Sequence, residues 1–135
     1  MSQPLYESVD PETYLVLAKE LASKSEASAK RTAADRAYYA TFLVSRDVLA
    51  DKDYVTPYGT ERDHQYINEA LRRTDILGSF GNEGLRLRRA RNAATYDTRE
   101  ITNQTQQYAR SLDWMLRTAE SVIKKVQELP QRSSQ

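Results

Sequence analysis

The stretch from about Glu26 to Ala50 does most to limit what this chain can become. Read at helical spacing, its middle, AADRAYYATFLV, sets Ala33, Ala37, Ala40, Thr41, Val44 and Val48 on one face and Tyr38, Phe42 and Leu49 on the next. A helix apolar over more than half its circumference, with small residues that admit close neighbours, belongs at the centre of a helical bundle. Four glycines and four prolines are too few for the frequent turns of an all-β protein, and no long stretch alternates with period two. The fold class is therefore all-α. Asp35 and Arg36 interrupt the apolar run, and either can serve as partner to an arginine on a neighbouring helix.

Caps and periods predict the other elements. A first helix opens with Asp10 as N-cap and Pro11 at its first position, passes through Tyr14, Leu15, Leu17, Ala18 and Leu21, and frays at Ser23 to Ser25. DKDYVTPYGTE, from Asp51 to Glu61, is a loop, and a shorter helix from about Arg62 to Thr74 carries the sole histidine, His64, in its first turn. After a break at Gly78 comes an arginine-rich helix ending near Tyr96 and Asp97. The last helix is expected over about Ile101 to Leu129, because Ile101, Thr105, Tyr108, Leu112, Met115, Ala119, Val122, Val126 and Leu129 step 4-3-4-3. That seam is expected to pack within its own bundle. The chain reads as a single domain over residues 1–130, with 131–135 a disordered tail.

The arginine helix holds one residue out of place. With Leu87 at the centre of its wheel, Phe80, Gly84, Ala90 and Ala94 fall within about 60°, and Arg91 falls among them. A guanidinium is almost never buried alone, so Arg91 should meet a carboxylate, a subunit seam or a bound phosphate. Arg86 and Arg89 face water, and Arg88 lies on the flank between. Twenty basic residues against nineteen acidic give no global field, but from Arg72 to Arg99 seven arginines stand against Asp75, Glu83 and Asp97. A local basic face suits phosphate contact.

Several chemistries drop out. With no cysteine there is no thiol nucleophile, thiolate metal site or disulfide, and one histidine without a His-Glu-x-x-His or Glu-x-x-His pattern gives no zinc or di-iron site. Neither a metal nor a cofactor is expected. GSFGNEG, from Gly78 to Gly84, lacks the Lys-Ser/Thr ending and the preceding strand of a phosphate-binding loop. No apolar run approaches a membrane span and the start lacks a leader pattern, so the protein is expected to be soluble and cytoplasmic, without a membrane partner.

Two segments carry a resemblance. Ala34-Asp35-Arg36-Ala37-Tyr38-Tyr39-Ala40-Thr41-Phe42, followed some fifty residues later by Arg88-Arg89-Ala90-Arg91-Asn92-Ala93-Ala94-Thr95-Tyr96-Asp97, resembles the HEPN superfamily (higher eukaryotes and prokaryotes nucleotide-binding). The likeness is to small bacterial and archaeal members with an Arg-Ala-Tyr-Tyr-Ala-x-Phe central helix and a fourth helix ending Arg-Asn-x-Ala-Asp-Tyr-Asp. It spans about residues 10–128, with only these two segments specific. The resemblance implies an up-down four- or five-helix bundle, a homodimer with the arginine motifs facing across a cleft, and, in active members, a metal-independent ribonuclease site built on Arg, four to six residues, then His. It also implies a role in microbial defence or toxin–antitoxin systems, in some of which a minimal nucleotidyltransferase antitoxin modifies a tyrosine near the motif. Tyr96 is then the first candidate acceptor.

Arg91 and Asn92 match the motif's Arg and its polar follower, but Tyr96 stands where the His is expected, and Thr95 replaces the usual Asp. A phenol of pKa about 10 is ionised to roughly one part in a thousand at pH 7, a handicap of about 4 kcal/mol against a ready base. Tyr96 can still bond a phosphate or stack on a base. His64 is the only imidazole able to restore acid–base chemistry, and a histidine in a helix's first turn ordinarily faces solvent. The candidate catalytic residues are thus Arg91, Asn92, Tyr96 and His64, with Arg88 and Arg91 for RNA phosphate and Asp35 and Arg36 in support. Three functions follow: an RNA- or nucleotide-binding protein with weak or absent ribonuclease activity, an active ribonuclease toxin, and a non-catalytic oligomerisation module. The missing histidine favours the first.

Overall fold

The computed structural model describes residues 3–73, 81–102 and 104–133. Its regular structure is helical throughout these residues: α1 (Thr13–Ala22), α2 (Ala27–Asp51), α3 (Arg62–Arg73), α4 (Glu83–Tyr96) and α5 (Leu112–Gln127). The fold class is the expected all-α bundle. None of the helices is long and apolar enough to cross a membrane among the residues described.

α2 is the central helix, as its wide apolar surface requires, and it packs against each of the other four. The small residues Ala33, Ala37 and Ala40 are fully buried and let neighbouring backbones approach. One core cluster joins Ala18 of α1, Leu49 of α2, Ile67 and Leu71 of α3, Leu87 and Ala90 of α4, and Met115, Val122 and Val126 of α5. Burial of each such Leu, Ile, Val or Met contributes about 1.5–3 kcal/mol. α3 meets α4 at Gly84, where an added Cβ would lie 2.5 Å from Asn68 Oδ1 and 3.1 Å from Leu71 Cδ1. A side chain there would push Asn68 off α4.

Three expectations need correction. Asp10 does not start α1 directly: its carboxylate accepts the Glu12 N–H (3.1 Å) and its carbonyl the Thr13 N–H (2.9 Å), closing a turn from which the helix begins two residues late. The last helix begins at Leu112, so Ile101, Thr105 and Tyr108 lie outside it. Thr105 Oγ1 accepts the Thr102 N–H at 2.8 Å and Thr102 Oγ1 the Gln104 N–H at 3.3 Å, hydroxyls thus taking backbone donors a helix would use. Ser111 then caps α5 by accepting the Trp114 N–H at 3.1 Å. From Met115 onward the seam is buried in its own bundle, in Ala119, Val122, Val126 and Leu129. The start of the tail is also held, through Arg132 N–H to the Lys52 carbonyl at 2.9 Å and Gln131 Nε2 to Asp53 Oδ2 at 2.6 Å. Thr74, the Gly78 break and Phe80 lie outside the described residues.

Candidate functional site

Three helices each bring a pair of side chains, at helical spacing, to one place. α2 supplies Asp35 and Tyr38, α3 His64 and Asn68, and α4 Arg88 and Arg91. Tyr38 is the hub, almost wholly buried at 1% exposure. Its phenol oxygen lies 2.7 Å from His64 Nδ1 and accepts from Asn68 Nδ2 at 3.4 Å. The Arg91 guanidinium covers the Tyr38 ring, with Cζ 4.9 Å from the centroid. The His64 ring stacks on Phe42 at 4.0 Å between centroids, which fixes its plane.

The arginines are unequally satisfied. Arg91, whose side chain is only 15% exposed, lies 3.6 Å from Asp35, and Asp35 is also held at 3.0 Å by Arg36. One carboxylate thus serves two guanidinium groups. Arg88 is half-buried and has no carboxylate partner among the described residues. Nε of Arg88 and Nε of Arg91 are both buried without a hydrogen-bond acceptor. Among the described residues Asp35 is the only carboxylate paired with Arg36, Arg88 or Arg91, and two of their Nε donors are unsatisfied, an arrangement with cationic charge to spare for an anion.

Burial and these charges together set the state of His64. Burial first, then the nearby guanidinium groups of Arg88 and Arg91, hold its pKa below the ordinary 6.5, against the opposite pull of Glu61 and Asp63. Asp63 is itself buried, its carboxylate accepting the N–H groups of Tyr58 (2.8 Å) and Gly59 (2.9 Å) and so fixing the loop that leads into α3. The ring is neutral at pH 7. Burial pushes the Tyr38 phenol above its ordinary value, so it keeps its proton, and His64 Nδ1 is the acceptor within reach. The ring proton then sits on Nε2, which makes no hydrogen bond among the described residues. His64 in this tautomer offers a donor, not a base.

The residues singled out from the motif divide between two faces of α4. Arg88 and Arg91 lie near enough to His64 for their charges to act on it, but Asn92 and Tyr96 line a separate groove with Arg89, and Tyr96 is 73% exposed. Five residues of helix turn Tyr96 roughly 140° away from Arg91. The expected grouping of Arg91 with Tyr96 is therefore not formed. Nor does Arg91 require a subunit seam, since Asp35 and Tyr38 meet it within the chain. Arg36 stacks beside Tyr39, with Cζ 5.3 Å from the ring centroid, and acts on the site only through Asp35.

Sequence reasoning missed Tyr38 as hub, Asn68 beside it, and Arg31. The Arg31 guanidinium donates to the carbonyls of Ala94 (3.2 Å), Asp97 and Arg99 (2.6 Å), fastening the end of α4 to α2. The signal available was spacing: His64 and Asn68 are four apart on a helix, and Asp35 and Tyr38 three apart. Among the described residues no three His, Asp or Glu side chains converge as a metal ion would require. Comparison with protein-family models, with curated proteins and with solved structures gives no match.

Proposed function

We propose that this protein binds RNA or a nucleotide as a HEPN-type protein of a microbial defence or toxin–antitoxin system, with a phosphate seated among Arg88, Arg91 and His64. One observation carries the reading: two buried guanidinium Nε groups lack acceptors beside a neutral histidine. A phosphate pairs with the charge of the two guanidinium groups, and the Nε2–H of His64 adds a donor. The HEPN resemblance supplies the ligand class and the defence setting. A second reading, a metal-independent ribonuclease, is favoured by the sole histidine lying within electrostatic reach of both arginines. Its cost is a tautomer switch, because His64 acts as base at Nε2 only if Tyr38 turns from donor to acceptor.

Binding of single-stranded RNA at low salt, followed by fluorescence anisotropy, tests the reading. Arg88→Ala and Arg91→Ala should each weaken binding about tenfold and reduce the salt slope by about one. Arg86→Ala should bind as the native chain, since Arg86 is exposed and paired with Glu83. Equal losses in all three variants would mean diffuse surface charge, and no binding by the native protein would leave the oligomerisation module.

A further inference from the structure

The groove beside α4 has its own chemistry. It is an open groove of about 670 Å³ between α4 and the segment that follows it, a space of nucleotide size. Tyr96 and Tyr108 stand on its walls at 73% and 44% exposure, and the Arg89 guanidinium lies against Tyr108, with Cζ 4.8 Å from the ring centroid. Arg89 has no carboxylate partner among the described residues, and the Asn92 amide makes no hydrogen bond there. The groove's one carboxylate, Asp97, is consumed: it accepts from Arg99 Nε (3.0 Å), Arg99 Nη2 (3.1 Å) and Gln106 Nε2 (3.1 Å). Those bonds hold Asp97 far below the ordinary carboxylate range and brace the far wall. Among the described residues, what faces the space is two phenol rings, a guanidinium with no carboxylate partner and an amide with no hydrogen bond.

We infer that this groove is a second RNA contact, in which an unpaired base of a single strand stacks on Tyr96 and Tyr108 while Arg89 and Asn92 take its polar edge or adjoining phosphate. Aromatic rings with arginine beside them receive bases of any sequence, because every base has a π face. An acidic peptide would also be drawn to Arg89, but it would leave the rings and the amide without a role. The groove lies roughly 120° round α4 from Arg88 and Arg91, so one helix presents a phosphate site and a base platform on different faces. The inference takes RNA as ligand from the proposed function, and its own residues are distinct from that pocket.

The test uses the full chain and a single-stranded RNA decamer carrying one 2-aminopurine. Native protein should quench the probe, as stacking does. Tyr96→Leu and Tyr108→Leu should each abolish the quench and weaken binding about tenfold, and Tyr96→Phe should retain both. The substituted rings are exposed, and unchanged urea unfolding would exclude a folding defect. Native-like binding and quenching by both leucine variants, with Arg88→Ala weakened, would overturn the base platform and leave the phosphate pocket standing. The reverse pattern would support the platform and overturn the pocket. A Tyr96→Phe loss equal to that of Tyr96→Leu would replace stacking by a hydroxyl contact and overturn the inference, as would no RNA binding by the native chain.

Discussion

Tyr38→Ala should cost the fold about 3–5 kcal/mol, the largest loss expected from any single substitution around the site. The ring is buried at the centre of the cluster that joins all five helices. Its removal opens a cavity, uncovers the face beneath Arg91 and deprives His64 Nδ1 and Asn68 Nδ2 of their partner. A domain of ordinary stability holds only about 5–15 kcal/mol in all. Urea unfolding measures the loss. Tyr38→Phe should lose far less, about 1–2 kcal/mol, because only the hydroxyl and its two hydrogen bonds are gone. Equal losses in the two variants would place the stabilisation in the hydroxyl instead of the ring.

The second large effect concerns catalysis. On the ribonuclease reading, metal-free cleavage of RNA depends on His64, and His64→Ala lowers it about 10²–10⁴-fold while Tyr96→Phe leaves it unchanged. The grounds are positional. His64 is close enough to Arg88 and Arg91 for both to depress its pKa, whereas Tyr96 opens into the groove beside Arg89. Cleavage that survives His64→Ala but fails in Tyr96→Phe would return the base to Tyr96. A native chain that binds RNA without cleaving it would match the tautomer assigned here, in which His64 donates a proton-bearing Nε2 and has no lone pair to offer there.

The sequence made the bundle legible because its strongest signals are local. The width of the apolar face of α2, the scarcity of glycine and proline, and the buried stripe of Gly84, Leu87 and Ala90 all survive in the structure. What failed was a period carried past its support. Ile101, Thr105 and Tyr108 keep heptad step with α5, yet Thr102 and Thr105 bind the local backbone and Ser111 restarts the helix. The site was legible in part. Arg91 stood out as a charge on an apolar face, and Asp35 as a charge interrupting the facing helix, and the two meet at 3.6 Å. Two things lay beyond a helical wheel. One is that α3 turns His64 inward onto Phe42, which depends on how Asp63 folds the preceding loop. The other is that the end of α4 turns Tyr96 away from Arg91, because a motif written as a string hides which side of the helix each residue occupies.

The pH dependence has a definite sign. In the folded chain His64 takes its proton at a pH below the ordinary 6.5, so the unfolded chain protonates first. This residue's contribution to stability is present above 6.5, falls as pH drops below it, and levels off once the folded ring is charged. On the proposed function, a phosphate placed between Arg88 and Arg91 would offset their repulsion, so the complex should hold the proton more tightly and RNA binding should strengthen as pH falls from 7.

The chain has one histidine, and its Cε1 proton is therefore a unique NMR probe at the centre of the site. The decisive measurement is the pH titration of that resonance, without and with single-stranded RNA. The pKa should lie below 6.5 in the free protein, and bound RNA should shift the signal and raise its pKa. A free-protein pKa at or above 6.5, or RNA binding that moves neither the signal nor its pKa, would contradict a phosphate site at Arg88, Arg91 and His64.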